Sequence, residues 1–457
     1  MAYARALARC SLLLISFGAL LGCSTPDPEV QTTWKAIPEY QPQEAVWVIW
    51  PTYDHVQGRS NEAVTVALVE RLRNYTNVVV SFPDSSTYVA ASAQAPVKDW
   101  LRRDASADAP NTQDPRFQVS AKVIPSVEIW IRDMGPNFVL GTEGLAVVDF
   151  NFDAWGYTEV SDPLTRIEEA YDVAVADQLD LPVIETDLIS EGGNREVNDQ
   201  GVMMATWAVD AGRNPGMSRT EIEQVYRDVL GVRSFIWFEQ GLVEDDHTFE
   251  GPERSSMGPV YTTVTTNGHV DEFARFVNDS TIVMAVVLEE DLADPLGMEN
   301  DVRLRQNRAL LAEARNADGK PFTVVDLPLP RPIFYEMGPG DATYDYIATL
   351  DYGEHTFPAG DRVTTVAAAS YLNFLITDGA VFYPVYGGIN ADRDKIARDV
   401  LAAVFPDHQL EPMNALATNL GGGGIHCITM QQPRTSPNPQ PAWLNSTRFG
   451  ASYLASS

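Results

Sequence analysis

The chain has 457 residues, 45% of them apolar, with 9 Trp, 17 Tyr and 18 Phe. That is ample material for a large packed core and excludes a disordered chain. A formal charge of −31 excludes a partner as anionic as nucleic acid and favours cationic ligands or a salty habitat.

The first residues read as a targeting segment. Arg5 and Arg9 form a basic start, and Ser11 to Leu21 is an apolar run too short to span a bilayer. It ends in Leu20-Leu21-Gly22-Cys23-Ser24, which resembles a bacterial lipobox. Residues 1–22 are therefore expected to be a signal peptide and Cys23 a lipidated N-terminus on a polar tether, 23–33. Ser24 after the cysteine points to an extracytoplasmic protein anchored at the outer membrane. The alternative is an ordinary signal peptide cleaved near Gly22.

Beyond the tether, Val46 to Trp50 is a first buried strand, Asn61 to Tyr75 a helix, Val78 to Phe82 a strand and Ser106 to Pro115 a loop. A pattern then recurs in which a strand with a polar start turns and returns as an apolar strand. The copies begin at Glu128, Glu191, Gly268 and Ser370, and their turns lie at Gly141–Gly144, Asn198–Gly201, Asn278–Ser280 and Thr377–Gly379. Asx and Gly turns between apolar runs are the hairpin signature. Helices are expected between the copies at Pro163–Leu179, Ser218–Leu230, Val302–Arg315 and Ala391–Ala403. Ser218-Arg219-Thr220-Glu221 has capping-box spacing and Gly231 stops that helix. Cys427 is expected to open a last strand. Similar units repeated in this way suggest radial repetition, with each polar start facing one centre. Residues 244–263 and 333–363 stand outside the repeat, rich in Gly, Pro and acid, and are expected to rim a pocket. The tail, 434–457, reads as an extended Pro-rich cover.

The stretch Gly421-Gly422-Gly423-Gly424-Ile425-His426-Cys427 carries the chemistry. Four glycines allow close approach to a ligand, and they lead into the only cysteine outside the first 23 residues. In an oxidising compartment it has no disulfide partner, so a chemical role outweighs a structural one. The polar strand starts add Asp133, Glu191, His269, Asp271 and Asn373, a set of carboxylates with no basic residue to balance them. Such a pocket favours an entering cation. A guanidinium suits paired carboxylates, and Asp133 and Asp271 would clamp its edges while the Cys427 thiolate attacks its central carbon. His269 would protonate the leaving ammonia and then activate water.

These segments resemble a known family. Trp130-Ile131-Arg132-Asp133-Met134-Gly135-Pro136, Glu191-Gly192-Gly193-Asn194, Asn214-Pro215-Gly216, Gly268-His269-Val270-Asp271, Ser370-Tyr371-Leu372-Asn373-Phe374 and Gly423-Gly424-Ile425-His426-Cys427-Ile428-Thr429 are similar to motifs of the agmatine deiminases. That family also contains the bacterial, Porphyromonas-type peptidylarginine deiminases. The resemblance covers about residues 35 to 433 and implies an α/β fold, the five-bladed α/β propeller (pentein) of the guanidino-modifying superfamily, as a single catalytic domain over 34–433. It implies hydrolysis without metal or cofactor, with Cys427 as nucleophile and His269 as acid and base. Asp133, Asp271, Glu191, Asn373 and Trp130 would bind or support the substrate. The implied reaction converts agmatine to N-carbamoylputrescine, a step of putrescine biosynthesis. Deimination of arginine in peptides is the alternative, because Asn267 stands where agmatine deiminases place an Asp, and Asp153-Ala154-Trp155-Gly156-Tyr157 departs from their Asn-Ala-Trp-Gly-Gly.

Other readings carry less. His269, Asp271, His426 and Cys427 are zinc-binding types, but a neighbouring His and Cys cannot easily chelate one ion. A non-catalytic cation-binding lipoprotein would not need Cys427. An amidinotransferase would need it, but would pass the group to an amine instead of water. Partners are thus a small guanidine or an arginyl peptide, and a membrane through the lipid, but no nucleic acid.

Overall fold

Four hairpins in the structure are built alike, and each is extended by a parallel third strand after a helical connection. In the computed structural model residues 34–104 and 117–435 are described. The signal peptide, Cys23, the tether, the loop at Ser106–Pro115 and the tail beyond 435 lie outside them. Among the described residues no helix is long and apolar enough to cross a membrane.

In the first unit Asn137–Gly141 pairs antiparallel with Gly144–Asn151, which pairs parallel with Val183–Ile189, while Trp34–Ala36 adds an outer edge. The second joins Glu196–Val197, Val202–Thr206 and Ser234–Phe238 in the same sense. The third joins Ala274–Asn278, Thr281–Val286 and Thr323–Pro328, and the fourth Leu375–Thr377, Ala380–Pro384 and Gln409–Met413. A fifth unit is made from both ends of the described chain. Met430–Pro433 runs antiparallel to Gln43–Ile49, which is followed by parallel Asn77–Phe82 and Val119–Val123. The parallel strands follow their helices, as the long crossover of a parallel pair requires.

Local chemistry explains the hairpins. Asn198 Oδ1 accepts from Gln200 N at 3.1 Å and Val202 N at 2.9 Å, closing its own turn. Asn278 Oδ1 accepts from Ser280 N at 2.9 Å. The helix Arg219–Leu230 has its full capping box, and Gly231 ends it in the left-handed region. The helix expected at Pro163–Leu179 is divided into Thr165–Glu169 and Tyr171–Leu179. The one expected from Val302 begins earlier, at Pro295 behind the Asp294 cap.

Three expectations need correction. The polar residues do not open the strands; they ride on one-turn helices or turns just ahead of them, at Ile131–Met134, Gly192–Asn194, Val270–Glu272 and Ser370–Asn373. A strand would send alternate side chains to opposite faces, whereas a tight turn aims several at one centre. Cys427 likewise lies in a turn, and its strand begins at Met430. Residues 244–263 and 333–363 are also more than a rim. Glu253–Ser255 pairs with Gly258–Val260 and Phe334–Met337 with Val363–Val366, and the second pair packs with the buried aromatics Tyr261, Tyr344, Tyr352 and Phe357.

Closure of the fifth unit is tied by Trp47, whose indole N–H donates to Gln432 Oε1 at 2.9 Å with both side chains buried. Replacing Gln432 by Leu leaves that N–H unpaired, and the expected cost is about 1–3 kcal/mol. A urea titration with an unchanged midpoint would show that this bond does not hold the closure.

Candidate active site

The turns bring the sequence-selected residues into one buried cluster. Trp130, Asp133, Glu191, His269, Asp271, Asn373 and Cys427 all lie at 5% exposure or less. His269 Nδ1 is 3.6 Å from Asp133 Oδ1, and Nε2 is 3.6 Å from Glu191 Oε2. Both ring nitrogens are buried with no hydrogen-bond partner among the described residues. Asn373 Nδ2 donates to Cys427 Sγ at 3.1 Å, to Asp271 Oδ2 at 3.3 Å and to Glu272 Oε1 at 2.8 Å. The thiol lies 3.9 Å from each of those two carboxylates.

Asp133 is fixed from two sides, accepting from Gly193 N at 2.8 Å and from Trp155 Nε1 at 2.9 Å. Gly193 is required by crowding: a Cβ there would lie 2.4 Å from His269 Nδ1. In the glycine run, a Cβ at Gly422 (φ +129°) would lie 1.9 Å from the Val264 carbonyl oxygen. A Cβ at Gly423 would stand 2.9 Å from both Cys427 Sγ and the Trp130 ring, so the indole packs beside the thiol. The run therefore serves close packing.

The expectation that no basic residue balances the carboxylates fails. Arg213 donates to Glu191 Oε1 at 2.6 Å and to the Thr266 carbonyl at 2.8 Å. His426 bridges Asp271 to a second layer, with Nδ1 2.6 Å from Asp271 Oδ2 and Nε2 2.7 Å from Glu39 Oε2. Arg275, fully buried, joins Glu39 at 2.9 Å and also Glu196. Arg132 Nη2 stands 3.7 Å from Glu39. A cavity of about 90 Å³ lies behind this layer, lined by Glu39, Arg132, Glu196 and His426, and neither Cys427 nor His269 borders it.

Sequence reasoning missed Glu272, Arg213, Arg275, Glu39, Glu196 and Asp245. Glu272 was legible as the acid next to Asp271; the others lie far along the chain from the motifs they support. Asp245, in a segment expected only to rim the pocket, holds the turn that carries His269. It accepts from the backbone N–H of Thr266, Gly268 and His269, each at 2.9 Å. Asn267 sits in the left-handed region at φ +71° in that turn, where Asn is among the better tolerated residues.

The electrostatics divide the groups by role. Burial, together with Asp271, Glu272 and Asp133, pushes the Cys427 thiol well above its ordinary value. Burial opposes charge on His269, yet Asp133, Glu191 and Asp271 outweigh it and raise the ring to about 9. Burial would also raise Glu191, but Arg213 and His269 hold it down at about 2. Burial acts on Asp271 too, and the hydrogen bond and charge of His426 overcome it, lowering its pKa. Its neighbour Glu272 is pushed well above the usual range by burial and by Asp271. The two adjacent carboxylates are thus shifted in opposite directions, Asp271 downward and Glu272 upward.

Two donor sets have metal-like spacing, Asp271 with Glu272 and Cys427, and Glu39 with Glu196 and His426. The first surrounds the Asn373 amide nitrogen, within 3.3 Å of all three. The second is served by Arg275, whose Nη2 is also 3.1 Å from His426 Nε2. In both, a nitrogen of the chain itself occupies the place a cation would take, so neither set fits a metal.

The family model for the Porphyromonas-type peptidyl-arginine deiminases matches residues 35–250 and 256–433. Agmatine deiminase of Pseudomonas putida is 30% identical over 405 residues, covering 86% of this chain and 94% of that protein. The Pseudomonas aeruginosa agmatine deiminase is 28% identical over 403 residues, with the same coverage. Among solved structures, the agmatine deiminase of Enterococcus faecalis superposes with a TM-score of 0.66 at 24% identity, covering 88% of this chain and 97% of that one. A C. jejuni agmatine deiminase with substrate bound gives 0.62 at 20% identity, covering 88% and 96%. These structures establish a shared mixed α/β fold.

The raised pKa of His269 ties stability to pH. An unfolded imidazole titrates near ~6.5, so the charged ring stabilises the fold fully below that pH, and the contribution fades as pH rises through about 9. Melting between about pH 6 and pH 10 should reveal a loss of roughly 3 kcal/mol across that window. His269→Asn should flatten the decline; an equal decline in the variant would assign it to another group.

Proposed function

This chain belongs to the Porphyromonas-type peptidyl-arginine deiminase family, which takes in the agmatine deiminases, and from that premise we propose that it hydrolyses agmatine to N-carbamoylputrescine and ammonia. The observation that carries the reading is a buried thiol and a buried imidazole, the ring 3.6 Å from both Asp133 and Glu191, inside one shell of carboxylates. The relatives named above are agmatine deiminases, which supports agmatine as substrate and lends no support to a non-catalytic cation-binding protein. Deep burial of the site suits a small cation better than a peptide.

The chemistry follows from the geometry. A guanidinium enters between Asp133 and Asp271, whose Oδ1 is buried and without a hydrogen bond, and the two carboxylates pair with its edges. Its charge offsets the anions that hold the thiol neutral, so the thiolate forms when substrate is present and the thiol proton leaves. Sulfur attacks the central carbon. His269, protonated at rest, gives its proton to the departing nitrogen, the C–N bond breaks, and ammonia leaves an S-linked amidinium. The neutral imidazole then takes a proton from water as the oxygen adds to the same carbon. The C–S bond breaks, the remaining hydroxyl proton returns to sulfur, and the ureido product departs.

We place this site at the centre of a five-bladed α/β propeller. Support comes from five sheets with one strand pattern, the last closed by Met430–Pro433 on Gln43–Ile49. The proposed domain division is a catalytic domain over 34–433 behind a leader, 1–22, and a tether lipidated at Cys23, with a C-terminal tail over 434–457. That leader would place the enzyme outside the cytoplasm, where it would act on external agmatine.

Ammonia release from agmatine, free arginine and arginyl peptides tests the reading. Cys427→Ala should abolish release, and His269→Asn should lower kcat by about 10²–10⁴-fold. Release mainly from peptides would move the chain to the peptidylarginine reaction; release from no guanidine would overturn the assignment.

A further inference from the structure

The turn that aims Trp155 at Asp133 concentrates backbone strain. Among the described residues four that are not glycine have a positive φ, and two of them are neighbours, Ala154 at +50° and Trp155 at +57°. Gly156 follows at +81°. The left-handed region is uncommon for any residue with a side chain and an outlier for one as bulky as tryptophan. Such a run persists only where its surroundings over-determine it. Its product is the buried indole, whose Nε1–H reaches Asp133 Oδ2 at 2.9 Å.

Two side chains hold the run. Asp153 Oδ1 accepts from Gly156 N at 2.9 Å and closes the turn from within. From outside, buried His247 places its Nε2 2.9 Å from the Trp155 carbonyl oxygen, 92 residues away in the chain. A carbonyl can only accept, so the hydrogen lies on Nε2 and the ring donates. Burial and the charge of Arg213 lower the His247 pKa to about 3. A Cβ at Gly156 would stand 3.2 Å from Arg213 Nη1 and 3.7 Å from His247 Cε1, so both groups pack directly on the run. The imidazole is gripped in its turn, its centroid 4.4 Å from that of Phe249 and 5.0 Å from that of Tyr157. The Tyr157 hydroxyl accepts from Thr265 N at 3.1 Å. Tyr157 is where the motif departs from the Gly of the agmatine deiminases, and the departure supplies a wall for His247.

We propose that His247 is a positioning residue of the deimination. By holding the Trp155 carbonyl it keeps the left-handed turn in place and the indole N–H on Asp133. The Asp133 carboxylate then meets one edge of the guanidinium in a single orientation. This rests on the deiminase reading above.

The test is a cycle of variants in the full chain, read as kcat and KM for agmatine. Trp155→Phe should lower kcat/KM roughly 10- to 100-fold, the worth of a hydrogen bond to a charged group. His247→Phe keeps a ring without a donor and should cause a loss no greater than that. Part of its loss should be a higher KM, whereas a smaller folded fraction would lower kcat alone. His247→Gln, whose amide can donate to the same carbonyl, should restore most of the activity. The double variant should fall within about threefold of Trp155→Phe, because both changes break one link. A folded His247→Phe with unchanged kcat and KM, or losses that multiply in the double variant, overturn the inference. If His247→Phe fails to fold by thermal melting, Trp155→Phe decides: unchanged kcat/KM in that folded variant overturns the inference and leaves the deiminase reading intact. Absence of turnover on every guanidine by the unmodified protein overturns that reading and this inference with it.

Discussion

The site depends on one electrostatic constraint: several carboxylates are buried together around one point. Burying a single unpaired carboxylate is costly, and here Asp133, Glu191, Asp271 and Glu272 share one interior. Each is stabilised differently. Glu191 has Arg213, Asp271 has His426, and Asp133 has the Gly193 and Trp155 N–H groups. Glu272 accepts from Asn373 Nδ2 at 2.8 Å, and burial with the charge of Asp271 pushes its pKa upward. Arg275 and Glu39 stand behind His426 in turn, and Arg275 also donates to the Leu372 and Phe374 carbonyls on either side of Asn373. The backbone that carries Asn373 is therefore positioned by the same cation that anchors the second layer.

This arrangement gives Asn373 a role that its neutral side chain does not suggest. Its amide nitrogen donates towards the thiol and two carboxylates, while its Oδ1 accepts from His426 N at 2.8 Å. One side chain thereby links the turn bearing Cys427 to the one bearing Asp271. A carboxylate in its place would add a further negative charge against a thiol that its surroundings already hold protonated. The amide supplies an N–H to a developing thiolate and brings no charge of its own.

Much of this was legible in the chain. Hairpin turns at Asn198 and Asn278 announce themselves by Asx chemistry, and the helix after Ser218 by its capping box. Every residue singled out for catalysis or substrate binding in the described part falls within the one buried cluster. Other features were not legible, for physical reasons. Third strands such as Ser234–Phe238 and Thr323–Pro328 pair in parallel only after a helix, so no local turn marks them. The one-turn helices at Asp133 and Asp271 are too short to show periodicity. Arg213 and Arg275 look like ordinary surface cations in sequence, because their partners are set by the fold.

Asp245 shows most clearly why a local departure from a motif need not disable a site. The resemblance places an acid at the position of Asn267, two residues before His269, and its absence is what makes arginine in peptides the alternative substrate. In the folded chain the carboxylate comes instead from Asp245, over 20 residues earlier, and takes three backbone N–H groups as well as the Thr266 hydroxyl at 2.5 Å. Burial pushes Asp245 upward, and His269 opposes that shift. The acid that shapes the histidine's turn thus also adds to the field that keeps the ring charged. An Asp at 267 would crowd a second carboxylate beside Asp245. With Asn there, the left-handed turn is retained and no unpaired charge is added to the interior.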